Sequence, residues 1–189
     1  MFPLGSMHKS ETRKIAEAHG FISAKRKESQ DICFIPDGDY ASFIERYTGK
    51  KIASGNFVDM DGNILGIHKG IIHYTVGQRK GLGLALKHPM YVQYIDVDNN
   101  EVVLGSNEDL FKRELTAHNF NWVSIACPDV PFRAKARIRY KHKEAPATIT
   151  PLSETEVKIV FDEPQRAITK GQSVVVYDGD YVVGGGKIV

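Results

Sequence analysis

An α+β region followed by an all-β barrel is the fold class this sequence predicts, on three observations. Up to about residue 48 the apolar residues recur at helical spacing. From about Gly55 onward the period shifts to two, with turn pairs between short apolar runs. Past residue 108 four or five strand-like runs follow at close spacing, the pattern of a small closed barrel. At 189 residues and 42% hydrophobic composition the chain can bury a real core. The expected division is residues 1–108 for the α+β part and 109–189 for the barrel.

The stretch ETRKIAEAHG places Ile15, Ala16 and Ala18 on one side of a first helix, and Gly20 stops it. Asp39 caps a second helix, whose Phe43, Ile44 and Tyr47 share a face before Gly49 ends it. Cys33 falls in the connection between the two. GNFVDMDGNILG folds at Asp61-Gly62 and YVQYIDVDNNEVVLG folds at Asn99-Asn100, so each reads as a hairpin. A break is expected near SNEDLFKREL. Strands are then expected around 120–124, 133–142, 147–152 and 156–161, and over 173–183 folded at Asp178-Gly179.

Twenty-five Lys plus Arg against twenty-three Asp plus Glu leave a net charge of +2, so only the distribution of charge can identify a polyanionic partner. Two distant cysteines, Cys33 and Cys127, make no disulfide framework, and no Cys/His spacing suggests a metal site. Apolar runs are too short to span a bilayer and the first residues lack the pattern of a secretion signal, so a cytoplasmic protein is expected.

The clearest chemical signal is RAKARIRYKHK. Arg133, Lys135, Arg137, Arg139, Lys141 and Lys143 occupy alternate positions, so in a strand running that far all six point one way. Ala134, Ala136, Ile138 and Tyr140 would then face the barrel interior. Same-face residues repeat every ~6.7 Å along a strand, on the scale of successive phosphates of a nucleic acid. The plain alternative is a solvated edge strand protected by its charge. A second basic feature is the loop holding Gln78, Arg79 and Lys80 between Gly77 and Gly81, where glycines let the backbone approach a ligand. It is read as a phosphate-gripping loop or a plain surface turn, and its GLG is no nucleotide fingerprint.

None of the seven histidines joins a nucleophile-base or metal motif. Asp37 and Asp39 suit a turn and a helix cap. Cys33 between Ile32 and Phe34 is either a small buried hydrophobe or a reactive thiol, with Lys25, Arg26 and Lys27 upstream and a helix start downstream to hold a thiolate. Cys127 has neither support.

FPLG, TRKIAEAHG, SQDICFIPDGDYASFI, GIHKGIIHYTVGQRKGLGLAL, YVQYIDVDNNEVVLG, FDEPQRAITKGQSVVVYDGD and GGGKI, in that order, resemble the tRNA-specific 2-thiouridylases from Phe2 to Ile188. The resemblance implies an enzyme that replaces the C2 oxygen of the wobble uridine, position 34 of tRNA, by sulfur. ATP with magnesium adenylates that oxygen, and a cysteine persulfide delivers the sulfur. Cys33, in SQDICFI, matches the persulfide carrier. A cysteine desulfurase or sulfur carrier protein supplies it, and a cysteine of the family's N-terminal domain releases the product through a disulfide.

Family contacts to tRNA fall on Arg139, Tyr140 and Gln172, with Arg133, Lys135, Arg137, Lys141, Gln78, Arg79 and Lys80 as further candidates from the residues alone. The barrel would resemble the second domain of elongation factor Tu, preceded by the family's central α+β domain. The family's ATP-pyrophosphatase domain, with its SGGxDSS-type loop, has no counterpart in these residues. The chain alone is therefore expected neither to use ATP nor to make thiouridine. Two other readings stand beside this one: an RNA-binding module in which Cys33 only packs, and a protein-binding barrel whose basic strand serves solubility.

Overall fold

A computed structural model describes residues 3–25, 35 and 39–189. The chain divides into two compact units, Met1–Lys50 and Lys51–Val189.

In the first unit, helix α1 spans Lys9–Ala18 and helix α2 spans Tyr40–Thr48. At the start of α1 the Glu11 carboxylate accepts from the His8 backbone N–H at 2.7 Å. Asp39 caps α2, accepting from the Ser42 N–H at 3.1 Å and the Ser42 hydroxyl at 2.6 Å. These bonds satisfy donors that a helix start leaves unpaired. Both helices are followed by a left-handed glycine, Gly20 at φ 71° and Gly49 at φ 67°. A single 3-10 turn, Ile22–Lys25, follows α1.

The second unit opens with a four-stranded sheet: β1 Gly55–Val58, β2 Ile64–His68, β3 Tyr91–Asp96 and β4 Glu101–Gly105, in the order β2-β1-β4-β3. Both expected hairpins are present, and β1 joins them by running parallel to β4. Asp59 organises the first turn, accepting from the N–H groups of Asp61 and Asn63 at 2.9 and 2.8 Å. Asn100 takes a left-handed φ of 54° in the second. One face of the sheet buries Phe57, Val92, Val102 and Leu104, and the long connection from β2 to β3 returns Tyr74 and Leu82 to that core. His68 is 1% exposed: its Nδ1 accepts from the Gly70 N–H and its Nε2 donates to the Asn100 carbonyl. That pair of bonds fixes one tautomer.

After a 3-10 turn at Glu108–Leu110, where the sheet gives way to the barrel, six strands follow: β5 Phe111–Trp122, β6 Phe132–Arg137, β7 Ala145–Ser153, β8 Glu156–Arg166, β9 Ser173–Asp178 and β10 Tyr181–Ile188. They close in the order β10-β5-β8-β7-β6-β9, and every pairing is antiparallel. Alternate residues fill the interior, among them Leu115, Ala117, Ala136, Ile149, Ile159, Phe161, Val174 and Val176. Gly184 lets β10 close on Phe120: a Cβ there would stand 2.5 Å from Phe120 Cε1 and 2.6 Å from the Asn121 carbonyl oxygen.

Two details of the barrel differ from the sequence expectation, and a third removes the plain alternative for the basic strand. The break expected over SNEDLFKREL is only the short turn, because β5 begins at Phe111. Its first four residues are exposed and its first apolar anchor is Leu115. The strand expected over 133–142 ends at Arg137. It is also no edge strand, since β6 pairs with both β7 and β9. No helix among the described residues is long and apolar enough to cross a membrane.

Candidate nucleic-acid interface

The basic strand does not run as one rail. Arg133, Lys135 and Arg137 do share the outer face of β6, with Ala136 opposite them in the core. Beyond Arg137 the chain turns: the His142 N–H donates to the Arg139 carbonyl at 3.1 Å, closing a β-turn with Tyr140 and Lys141 at its tip. Ile138 is buried as expected, but Tyr140 is 90% exposed rather than packed in the barrel. The turn breaks the alternation at that point, so Arg139 no longer follows the row.

Acids from outside the stretch then sort its cations. Arg133 forks onto Asp162 of β8, with Nη1 to Oδ1 at 2.8 Å and Nη2 to Oδ2 at 2.5 Å. That hydrogen bonding, and then the charge of Arg133, hold the Asp162 carboxyl below its ordinary value. Lys135 pairs with Glu144 at 3.0 Å. Arg137 has no acid partner among the described residues. Its guanidinium lies 5.1 Å from the centre of the Tyr177 ring and donates to that hydroxyl at 2.6 Å.

Arg139 turns back toward the end of β8. Its Nη2 donates to the Ala167 carbonyl and to Thr169 Oγ1, the latter at 3.3 Å. The Thr169 carbonyl in turn accepts from the Gln172 N–H at 3.2 Å. Thr169 therefore links Arg139 to the exposed turn that carries Gln172. The exposed Tyr140 ring at the turn tip, the neighbouring Arg139 and the exposed Gln172 supply the stacking, charge and hydrogen bonding that single-stranded nucleic acid uses.

The Gly77–Gly81 loop reaches the same corner. Gly77 has a left-handed φ of 86°, and a Cβ placed on it would stand 3.3 Å from Ala167 Cβ and 3.4 Å from Arg166 Nη1. Gln78 braces the loop itself: its Oε1 accepts from the Thr75 N–H, and its Nε2 donates to the Lys80 carbonyl, each at 3.0 Å. Arg79 and Lys80 are exposed. Lys141 is exposed at the tip of its turn.

Arg166 was not visible as a site residue in the sequence, where it is one cation of FDEPQRAI with no periodic partner. Its Nε donates to Asn107 Oδ1 at 3.1 Å, and its guanidinium lies 5.4 Å from the Tyr91 ring centre. Cys33, with Arg26, Lys27 and Asp37, lies outside the described residues. Cys127 is half-buried, its Sγ 3.8 Å from the carbonyls of Pro128 and Ser153. Among the described residues no group of three or more His, Cys, Asp or Glu could hold a metal ion.

Three family models match successive parts of the chain: a tRNA methyl transferase HUP domain over residues 1–37, a tRNA methyl transferase PRC-barrel domain over 41–106, and an aminomethyltransferase beta-barrel domain over 112–188. Among curated relatives, the tRNA-specific 2-thiouridylase MnmA of Acetivibrio thermocellus is 55% identical over 188 residues, covering 100% of this chain and 52% of the relative. The proteins of the same name from Clostridioides difficile and Lachnoclostridium phytofermentans are 53% and 51% identical, again over 100% of this chain, and over 52% and 53% of their own length. The chain spans about half the length of the curated relatives it matches.

Proposed function

Because the chain belongs to the family of tRNA-specific 2-thiouridylases, we propose that it is the tRNA-holding, sulfur-carrying portion of such an enzyme. The observation that carries this reading is the match along the whole chain, at half identity or better, to relatives named for that activity. The barrel's outer corner supports it. Arg139, Tyr140 and Gln172 grip the tRNA, with Arg137, Lys141, Arg79 and Lys80 as further phosphate contacts.

In the whole enzyme, ATP with magnesium activates the C2 oxygen of the wobble uridine, position 34, as an adenylate. The terminal sulfur of a Cys33 persulfide, loaded by a cysteine desulfurase or sulfur carrier protein, attacks C2 and AMP departs. A second cysteine of the enzyme then takes the inner sulfur of Cys33 into a disulfide and leaves the new sulfur on the base. A thiol in this role acts as an anion, which cations such as Lys25 near the Cys33 segment in sequence favour.

The test uses the whole enzyme with ATP, magnesium, a persulfide donor and unmodified tRNA, comparing wild type with Cys33→Ser at matched tRNA affinity. Loss of all 2-thiouridine in the variant is expected. Product formation at the wild-type rate would overturn the sulfur-carrier role and leave an RNA-binding module in which Cys33 only packs. A thiol-labelling series on the 189-residue chain checks the same point, with Cys33 expected to react faster than half-buried Cys127.

A further inference from the structure

At the corner where β8 ends, two guanidinium groups, with a histidine beside them, meet without an acid among the described residues. The Arg139 guanidinium bonds the carbonyl of Ala167, the residue next to Arg166, and the His142 N–H donates to the Arg139 carbonyl, so the three residues share this corner. Arg133 and Lys135 on the same barrel each have a carboxylate. Arg139, Arg166 and His142 have none among the described residues. Burial, and then the charge of Arg166, push the Arg139 guanidinium down from its ordinary value. Burial first, and then Arg139 and Arg166, push His142 down. Half-buried like charges held together cost free energy unless an anion joins them.

The protein fixes both guanidinium groups while leaving donors of each unused. Arg139 commits its Nη2 to Ala167 and Thr169, so Nε and Nη1 have no partner among the described residues. Arg166 commits its Nε to Asn107 and its flat face to Tyr91, so Nη1 and Nη2 have none. The free Nη1 and Nη2 of Arg166 share one edge and form a fork for two oxygens of one phosphate, while the free Nε and Nη1 of Arg139 lie on different edges and each offer a single charged donor. The scaffold beneath them is rigid. Ala167 is buried at a left-handed φ of 56°, its N–H donates to the Leu110 carbonyl at 2.7 Å, and its own carbonyl also accepts from Thr169 Oγ1 at 2.9 Å. A buried non-glycine residue in that conformation persists only where its surroundings over-determine it, and such residues cluster at ligand sites. The absence of a side chain at Gly77 keeps the flank of Arg166 clear.

We propose that Arg139 and Arg166 together hold one phosphate of the RNA backbone at this corner, with His142 beside it. The assignment rests on the tRNA-holding reading above and adds Arg166 and His142 to it. The phosphate supplies the charge that the corner lacks. His142 also borders a cleft of about 690 Å³ lined by Lys135, Arg137, Lys143, Glu144, Tyr177 and Asp180. In that setting a bound phosphate is the added anion that favours the imidazolium.

The test measures binding of an unmodified tRNA transcript to the 189-residue chain across a salt series, for wild type, Arg166→Gln, Arg166→Lys, Arg139→Ala and the double variant Arg139→Ala/Arg166→Gln. Arg166→Gln is expected to flatten the log-log salt slope by about 0.7 to 0.9, one phosphate contact. Arg166→Lys is expected to keep the slope while binding more weakly, since an ammonium lacks the fork. Because both arginines hold the same phosphate, the double variant is expected to lose less than the product of the single losses. A folded Arg166→Gln protein with the wild-type slope overturns the proposal.

Should Arg166→Gln fail to fold, the wild-type His142 ring resonance decides. Its titration midpoint is expected to rise on adding tRNA, and an unmoved midpoint overturns the site. A midpoint that moves with inorganic phosphate but not with tRNA overturns the RNA assignment. If the wild-type chain shows no salt-dependent tRNA binding at all, the tRNA-holding reading itself falls. If it binds and only the Arg166 results are flat, the site alone falls.

Discussion

Replacing Arg139 by alanine tests the interface most directly, because the structure separates what the side chain does for the fold from what it offers a ligand. Its Nη2 donates to Ala167 and Thr169, but the Ala167 carbonyl keeps a second donor in the Thr169 hydroxyl at 2.9 Å. The variant therefore leaves no buried carbonyl unpaired, and the stability cost is about 1–2 kcal/mol, the net worth of the bonds lost. For a chain of this size that lowers the melting temperature by only ~2–8 °C. The ligand side is costlier. A charge-assisted hydrogen bond to phosphate is worth roughly 1.5–3 kcal/mol, or about 10- to 150-fold in affinity. The assay is tRNA binding by fluorescence anisotropy from 50 to 200 mM salt, on protein shown folded by its melt. One lost contact flattens the slope by about 0.9, so the variant loses about 3.5-fold less affinity over that range than wild type does. Arg139→Lys is expected to hold the slope and recover part of the affinity. An Arg139→Ala protein that melts normally and binds with unchanged affinity and slope would remove Arg139 from the interface.

Gly184→Ala forces a Cβ to within 2.5 Å of Phe120 Cε1 and 2.6 Å of the Asn121 carbonyl. Destabilisation of about 1–3 kcal/mol is expected from overpacking, and an unshifted melt would refute the close approach. Asp39→Ala removes the cap of α2, with an expected loss of ~1 kcal/mol there. Hydrogen exchange at the Ser42 amide reads it, and unchanged protection would argue against the cap. His142 binds its proton more weakly folded than unfolded. In the window below its ordinary value of 6.5 the unfolded chain therefore holds more protons, so stability falls as pH falls through that window. His142→Gln is expected to flatten that part of the stability profile, and an identical profile would contradict it.

The sequence carried the hairpins, the helix caps and the closed barrel because each rests on local chemistry: Asp39 and Gly49 around α2, Asn99-Asn100 between β3 and β4, Asp178-Gly179 between β9 and β10. It misplaced the start of β5, where exposed charges hide a strand whose core-facing residues begin only at Leu115. It read Arg133 to Lys143 as one row because alternation says nothing about where a strand ends. The bond that ends it, from His142 to the Arg139 carbonyl, belongs to a turn with no glycine, proline or asparagine to announce it. Asp162 and Glu144 lie outside that stretch, so its apparent freedom from acids did not survive folding. Arg166 stayed hidden for the same reason: Asn107, Tyr91 and Gly77, which hold or flank its guanidinium, are between 59 and 89 positions away.

Those acids also suggest where the binding face ends. A closed barrel has no edge strand to protect, so charge on β6 is not needed to block edge pairing. Asp162 and Glu144 neutralise Arg133 and Lys135, so of the six alternating cations Arg137, Arg139, Lys141 and Lys143 stay without a carboxylate among the described residues, as does Arg166 from outside the row. If Asp162 sets that limit, Asp162→Asn frees Arg133 to reach a neighbouring phosphate. The tRNA salt slope is then expected to steepen by about 0.7 to 0.9, with tighter binding at low salt. The same variant removes a carboxylate whose folded value is held low, a contribution to stability present above its ordinary value of 3.8 and lost as pH falls through the folded one. Its acid unfolding curve is expected to be flatter. A flatter acid curve with an unchanged salt slope would place Arg133 off the path of the RNA, and the boundary of the binding face would then be set by the shape of the Arg139–His142 turn rather than by its acids.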